Sequence, residues 1–339
     1  GDYNIAVGYQ AGIALTSGQR NVLIGSNAGD ALTTGESNVG VGHGALSAED
    51  ANGSTTAVGY KALNIQNAGQ ESYNVAIGFE AGKLATSAIR STLIGGSAGA
   101  AVTTGGENTF IGYITGANTT IGNKNIAIGG EAFNTNVAGD CNVAIGLESL
   151  KVMTQASTAD THNTAVGHRS GIAVTSGQQN TLIGGLAGDA LTTGSNNMII
   201  GYAAAASAVD VSNEITLGDA NISAFRCADQ SIAALSDGRD KTDIKNSSYG
   251  LEFINTIRPV EFTWDFRPEN MAEAKQGKKR VGFIAQELQE AMPNSENEIL
   301  DLVYNVNDER IEAKYGNLIP ILVKAVQDLS EKVKALENK

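Results

Sequence analysis

A serine and a lysine stand five residues apart in the segment LSDGRDKTDIK. Ser236 and Lys241 are separated by Asp237 and Gly238, residue types that favour turns, so the two side chains could meet across a chain reversal. A serine hydroxyl needs a base to become a strong nucleophile, and a lysine can serve once it is uncharged. No histidine follows His168, so the last part of the chain cannot supply a serine–histidine–aspartate triad. On its own, such a pair is typical of a structural turn.

The chain around this segment consists of two regions of different composition. Of the 339 residues, those up to Ser236 hold all but 5 of the 41 glycines and no proline, whereas the remaining 103 hold all four prolines and the sole tryptophan. The formal net charge of −13 divides into −9 (8 Lys and Arg, 17 Asp and Glu) and −4 (15 against 19). Because neither region carries a basic field, the composition argues against binding to nucleic acid or to an anionic membrane.

The sequence also argues against a membrane-spanning protein, a disulfide-rich protein and a metal-binding protein. No apolar run reaches the roughly 18 residues of a membrane span, so we expect no membrane insertion. Cys141 and Cys227 lie far apart in unlike contexts, which predicts free, buried thiols, no disulfide framework and no zinc site. We expect neither a metal nor a cofactor. The chain starts at Gly1 within a recurring pattern, so we expect it to be part of a longer polypeptide or a matured product.

A five-residue cassette such as NIAVG recurs thirteen times in the first region. Ten of the twelve intervals between the cassette glycines are 17 residues, and the other two are 19 and 21. The alternating apolar residues predict a short strand, and the glycine tolerates the positive φ of a corner. Since one coil cannot bury its own apolar side, the coils are expected to stack as a parallel β-roll or β-solenoid. The cassettes end at Gly8, Gly25, Gly42, Gly59, Gly78, Gly95, Gly112, Gly129, Gly146, Gly167, Gly184, Gly201 and Gly218.

Three expectations follow from the repeat. The recurrent asparagine before the apolar pair should form a side-chain amide ladder along the stack. The two longer intervals add polar residues around 67–70 and 154–160, which should bulge outward as loops. With Ala, Gly, Val and Ile at the inner positions each coil would have a thin core, which favours several chains sharing one core.

These repeats resemble the head domains of trimeric autotransporter adhesins and the β-roll shafts of phage fibres, whose repeats carry a similar NxxAIG cassette. The resemblance covers residues 1–218. It implies a homotrimer of left-handed parallel β-rolls. A single-chain right-handed β-helix, the fold that carries polysaccharide lyases, is the alternative.

The last region carries the motifs SDxRxK, PVxFxW, GFIAQE and YxNLIPxLxKA in that order. In this combination, residues 236–339 resemble the C-terminal intramolecular chaperone of endosialidases, phage tail fibres and tailspikes, which some membrane-tethered transcription factors share. The resemblance implies a small α+β domain that helps three chains fold in register and then cuts itself away. By position, Ser236 matches the nucleophile, Lys241 its partner, and Leu235, Ser236 and Asp237 the cleavage site. Arg239 matches the motif's arginine, with no role assigned.

The C-terminal helix is predicted to carry a short coiled-coil-like seam. Its apolar residues are spaced 4, 3, 4 and 3, as in a heptad pattern, with charged residues on the flanks. Packing of this helix on its own domain is the other interpretation. The seam residues are Leu322, Val326, Leu329, Val333 and Leu336.

We therefore expect a mainly β chain with a repeat shaft at 1–218, a connector at 219–235 and a chaperone at 236–339. The predicted function is that of a distal phage tail fibre or tailspike segment, assembled in the host cytoplasm and located in the virion tail. It would attach to a host-surface receptor or glycan and release its chaperone in a single-turnover cleavage. A bacterial trimeric surface adhesin is one alternative. A glycan-depolymerising β-helix is another, disfavoured by scattered acids and the lack of an aromatic cluster.

Overall fold

The structure, a computed structural model, describes residues 2–155, 157–228, 235–265, 275–292, 297–307 and 310–338. The chain divides into two compact units, Gly1–Asp219 and Ala220–Lys339. Residues 229–234 of the predicted connector lie outside the described residues. Within the described ranges, no helix is long and apolar enough to span a membrane, and no group of three or more His, Cys, Asp or Glu side chains could hold a metal ion.

The first unit is a parallel β-solenoid, as the repeat predicted. Thirteen short strands form one sheet in which each strand pairs in parallel with its counterpart in the next coil. Two further strands, β9 and β11, pair with each other. In chain order the strands are β1 (Ile5–Val7), β2 (Val22–Ile24), β3 (Val39–Val41), β4 (Thr56–Val58), β5 (Val75–Ile77), β6 (Thr92–Ile94), β7 (Thr109–Ile111), β8 (Ile126–Ile128), β9 (Gly139–Asp140), β10 (Val143–Ile145), β11 (Ala159–Asp160), β12 (Thr164–Val166), β13 (Thr181–Ile183), β14 (Met198–Ile200) and β15 (Ile215–Leu217).

The central residue of a solenoid strand, not the flanking pair, fills the interior. Leu23, Phe110 and Ala127 occupy this position in β2, β7 and β8 and are fully buried. Because neighbouring side chains of a strand point to opposite sides, the flanking residues point outward. Ile126 and Ile128, for example, are 40% and 36% exposed. The expectation that Val and Ile fill the inner positions together with Ala and Gly was therefore wrong for most strands, whose buried central residues are mainly Ala, Leu and Phe.

The predicted asparagine ladder is confirmed and runs beside the strands. The backbone N–H of Asn180 donates to Asn163 Oδ1 at 3.0 Å, and its own Oδ1 accepts the N–H of Asn197 at 3.1 Å. Asn180 Nδ2 donates to the carbonyl of Gly194 at 2.9 Å. Each such side chain therefore joins one coil to the next. The ladder comprises Asn4, Asn21, Asn38, Asn74, Asn108, Asn125, Asn142, Asn163, Asn180 and Asn197.

The cassette glycines are required by both conformation and space. Gly95 has φ +135°, in the region that favours glycine. A Cβ at Gly95 would also lie 2.2 Å from the carbonyl oxygen of Gly112 in the next coil. The close approach of successive coils explains why the cassette ends in glycine.

The two insertions behave differently. Residues 67–70 form the predicted surface loop, with only residue 68 half-buried. In the second insertion, Ala159–Asp160 instead forms β11, which pairs with Gly139–Asp140. The predicted bulge at 154–160 is thus partly wrong, because two of its residues gain strand hydrogen bonds.

The expectation of buried thiols was also wrong. Cys227 is exposed and Cys141 is only half-buried, and neither forms a disulfide within the described residues. Cys141 Sγ donates to Asp160 Oδ1 at 3.3 Å, and partial burial together with this carboxylate raises the pKa of the thiol. The side chain lies on the outer surface because Cys141, at φ +60°, occupies a left-handed corner just before the ladder residue.

The second unit is a small α+β domain, as predicted. Its helices are α1 (Leu251–Ile254), α2 (Ala285–Ala291), α3 (Asn297–Leu300) and α4 (Leu318–Glu337). Two antiparallel hairpins pair β16 (Val260–Thr263) with β17 (Lys279–Gly282), and β18 (Val303–Asn307) with β19 (Arg310–Ala313). Short 3₁₀ turns occupy Gly238–Asp240 and Tyr315–Asn317. Its apolar core contains Phe253, Met292, Leu300, Leu302, Leu318 and Ile321.

Helix α4 docks against α1 through a shared polar contact. Asp328 Oδ2 accepts the backbone N–H of Leu251 at 3.0 Å, and Lys324 Nζ pairs with the same carboxylate. Because Lys324 and the Leu251 N–H both stabilise the charged form, they hold the pKa of Asp328 below its usual range. A Cβ at Gly250 would lie 2.1 Å from Asp328 Oδ2, so the absence of a side chain there permits the contact.

Candidate functional site

The Ser236–Lys241 segment folds into a tight turn. Its 3₁₀ turn, Gly238–Asp240, begins after Asp237, whose Oδ1 accepts the backbone N–H of Arg239 at 2.9 Å. The chain then reverses, and Lys241 Nζ lies 2.6 Å from Ser236 Oγ and 3.4 Å from the Ser236 carbonyl oxygen. The structure thus brings together the two side chains singled out by their spacing.

The Arg239 guanidinium forms a hydrogen-bonded ion pair with the Asp237 carboxylate. Arg239 Nε lies 3.1 Å from both carboxylate oxygens and Nη2 lies 2.6 Å from Oδ2. The guanidinium, followed by the Arg239 backbone N–H, holds the pKa of Asp237 below its usual range. This carboxylate is therefore ionised and already occupied, which makes it a poor proton acceptor. The sequence motif identified Arg239 but not this contact.

The residues of the predicted cleavage site are all exposed. Leu235 is fully exposed, and Ser236, Asp237 and Lys241 are also on the surface. In this arrangement the lysine ammonium donates to the serine oxygen. Loss of one proton would let Nζ accept the serine hydroxyl proton instead, which is the arrangement that a serine nucleophile needs.

The predicted seam of helix α4 points away from its own domain. The face that packs on the domain consists of Leu318, Ile321 and Ala325. All five seam residues are between 45% and 69% exposed, with Val333 the least and Leu336 the most. The helix therefore packs one face on its own domain, and none of the described residues covers its second apolar face.

The solenoid carries an aromatic column that the sequence reasoning missed. Tyr60 and Phe79 stack with ring centroids 5.2 Å apart and planes 11° apart, and His43 lies 5.5 Å from Tyr60. Each follows a cassette glycine directly, so the coil period places them one above another on the surface. A count of aromatic residues could not reveal the column, whereas alignment of the cassettes would have done so.

Comparison with known proteins shows a similarity within the second unit. Residues 236–295 match the family model described as chaperone of endosialidase. The match begins at Ser236 and covers α1, the β16–β17 hairpin and α2. No curated protein and no solved structure matches the chain. The chain is thus a parallel β-solenoid followed by a segment similar to the endosialidase chaperone.

Proposed function

We propose that this chain is the distal segment of a phage tail fibre or tailspike in the virion tail, where its solenoid attaches to a host-surface receptor or glycan. The C-terminal unit would assemble three copies of the chain and then be released by cleavage at Ser236. The observation that carries the proposal is the match to the endosialidase chaperone, which starts at the serine that Lys241 contacts.

The proposed partners are two further copies of this chain. The third residue of each solenoid strand points outward and is apolar in all thirteen strands, whereas the first is threonine in five of them. The outward residues thus form a mainly apolar face along the coils, and its ends Val7 and Leu217 are 58% and 49% exposed. Large contiguous apolar surfaces are uncommon on monomers. Each protomer would supply the same face, which a symmetric assembly buries without any additional component. The exposed seam of α4 supports the same assembly.

Assembly through the C-terminal unit solves a register problem. Because the cassettes are nearly identical, a chain could pair with its neighbours one coil out of register at little cost. Parallel pairing of distant segments is also slow to form. A compact unit that associates first aligns the chain ends. The solenoids then pair coil by coil from that end, in one register. Later removal of that unit would leave a fibre protected by its barrier to unfolding.

Cleavage requires one nucleophile and one proton carrier. Neutral Lys241 would accept the Ser236 hydroxyl proton as Oγ attacks a peptide carbonyl, and would then donate it to the departing amine. Water would hydrolyse the resulting ester, leaving a carboxylate and regenerating the hydroxyl. Attack on the Leu235 carbonyl within one chain passes through a five-membered ring. Attack on the Ser236 carbonyl within the same residue would need a strained four-membered ring, so a break after Ser236 implies another chain's serine.

The test is the intact mass of freshly expressed chains. We expect the parent to give two fragments meeting between residues 235 and 237, whereas Ser236→Ala and Lys241→Ala remain full length. Lys245→Ala is the matched control, since Lys245 is an exposed lysine of the same segment, and it should cleave like the parent. A full-length parent, or cleavage in the Ser236→Ala chain, would overturn the proposed release.

A further inference from the structure

We infer that Asp237, clamped by Arg239, is a positioning residue that holds Ser236 and Lys241 at hydrogen-bonding distance. This inference rests on the proposed cleavage and assigns a role to the two charged side chains between the reacting pair. Neither would touch the atoms that react. Their task would be to set the distance between a hydroxyl and an amine.

The Ser236–Lys241 site is not supported by burial. Every residue from Leu235 to Lys241 is exposed. Long lysine side chains lose considerable rotamer freedom when fixed, so a surface Ser–Lys pair would spend much of its time apart. Local contacts must therefore hold the backbone that carries them.

Asp237 supplies such local contacts. Its side chain caps the 3₁₀ turn by accepting the Arg239 N–H at 2.9 Å, a bond that satisfies a donor otherwise unpaired at a turn start. The turn continues with the Asp240 N–H donating to the Asp237 carbonyl at 3.2 Å and the Lys241 N–H to the Gly238 carbonyl at 3.4 Å. These bonds bring the Lys241 backbone round to face Ser236.

The guanidinium of Arg239 holds the capping side chain of Asp237 in place. Its contacts to both carboxylate oxygens fix the rotation of the Asp237 side chain, so the capping oxygen stays aimed at the turn. The pairing also compensates the negative charge, which would otherwise lie beside the carbonyls where negative charge develops during attack. A lysine at position 239 could offer only a point charge in place of this planar fork.

The test is the rate of cleavage during cell-free synthesis, followed by intact mass. Loss of a capping side chain costs about 1 kcal/mol, so Asp237→Ala should slow cleavage about fivefold or more. Asp237→Asn keeps an acceptor oxygen for the Arg239 N–H but loses the carboxylate that pairs with the guanidinium, so its cleavage rate should lie between those of the parent and Asp237→Ala. Both variants remove the negative charge, so the difference between their rates reports the capping side chain and not the charge. The cleavage rate of Arg239→Ala should fall between the rates of Asp237→Asn and Asp237→Ala.

Gly238→Ala provides the matched control within the same turn. A Cβ at Gly238 would meet no atom within 4 Å, so this variant should cleave like the parent. Each variant is also made in the Ser236→Ala background, where an unchanged native mass shows that assembly is intact. Asp237→Ala cleaving at the parent rate, or Asp237→Asn as slow as Asp237→Ala, overturns the positioning role. An uncleaved parent overturns the proposed release by cleavage, and the inference with it.

Discussion

At the scale of single residues, the ladder asparagines couple neighbouring coils. Asn180 is fully buried, and its amide group makes hydrogen bonds to the coil on each side. Removal of that side chain would leave the N–H of Asn197 and the carbonyl of Gly194 without these buried partners. The cost of such groups exceeds the net gain from an ordinary hydrogen bond.

We therefore predict that Asn180→Ala lowers the free energy of unfolding by about 2–3 kcal/mol. Ser176→Ala, an exposed position of the same coil, should change it by less than about 0.5 kcal/mol. Urea unfolding followed by circular dichroism measures both. Equal effects of the two substitutions would show that the ladder bonds carry no special weight.

A second residue-scale feature is the carboxyl of Glu49 inside the solenoid. Asn52 Nδ2 donates to one carboxyl oxygen at 2.9 Å and Gln66 Nε2 to the other at 3.1 Å. Burial nevertheless raises the pKa of Glu49 above its ordinary value of 4.5. The folded state then holds this proton more tightly than the unfolded state, so stability is lost as the pH rises past the unfolded value.

Glu49→Gln removes the titration and is predicted to alter the pH profile of stability. Between about pH 4 and pH 7 the parent should lose stability relative to the variant, because only the parent has to ionise a buried carboxyl. Melting temperatures measured across this range test the prediction. Glu71→Gln, at an exposed position, should follow the parent. A constant difference in melting temperature between the parent and Glu49→Gln at every pH would contradict the predicted titration of Glu49.

At the scale of elements, helix α4 has two faces with different tasks. Ile321 is buried in its own domain, whereas Leu329, eight residues along, is 51% exposed on the seam. A polar substitution on the seam should leave the isolated fold intact and weaken association only. Each buried leucine contributes about 2 kcal/mol, and a trimer would lose three.

We predict that Leu329→Lys, in the uncleaved Ser236→Ala chain, weakens trimer formation at least about tenfold without changing helical content. Sedimentation velocity over a range of protein concentrations gives the first quantity and circular dichroism the second. Glu337→Lys adds a lysine at an exposed flank of the same helix and should remain trimeric. Unchanged trimer formation by Leu329→Lys would show that the seam does not contribute to assembly.

The elements also show what the sequence could and could not predict. The 17-residue period was sufficient for the strands, the glycine corners and the ladder, because each depends on local residue type and spacing. The pairing of β9 with β11 could not be foreseen, since two residues such as Ala159 and Asp160 carry no strand pattern. The residue that faces inward in β8 could not be predicted, because alternation alone does not say which set, Ala127 or its neighbours, lies inside.

The candidate site was predictable to a similar degree. The spacing of Ser236 and Lys241 indicated that they could meet, and the turn-forming residues between them indicated how. The fork between Arg239 and Asp237 depends on rotamers that sequence does not specify. The aromatic column was hidden because Tyr60 and Phe79 are 19 residues apart and meet only through the stacking of coils.

At the scale of the whole molecule, the two units suit one purpose. The solenoid has an apolar face that its own described residues leave uncovered, and a repeat that permits register errors. The second unit resembles a chaperone, presents a further apolar seam, and begins at a serine in contact with a lysine. The proposed shared core, register set from the C-terminus and self-release of the second unit would account for all of these features together.

The most direct test of this account is the native mass of the freshly expressed parent chain. The account predicts an assembly of three solenoid fragments that end near residue 235, with the C-terminal fragment separated from them. The full-length Ser236→Ala chain should give three times its own mass. A single full-length chain of 34.9 kDa from the parent would contradict both the shared core and the release.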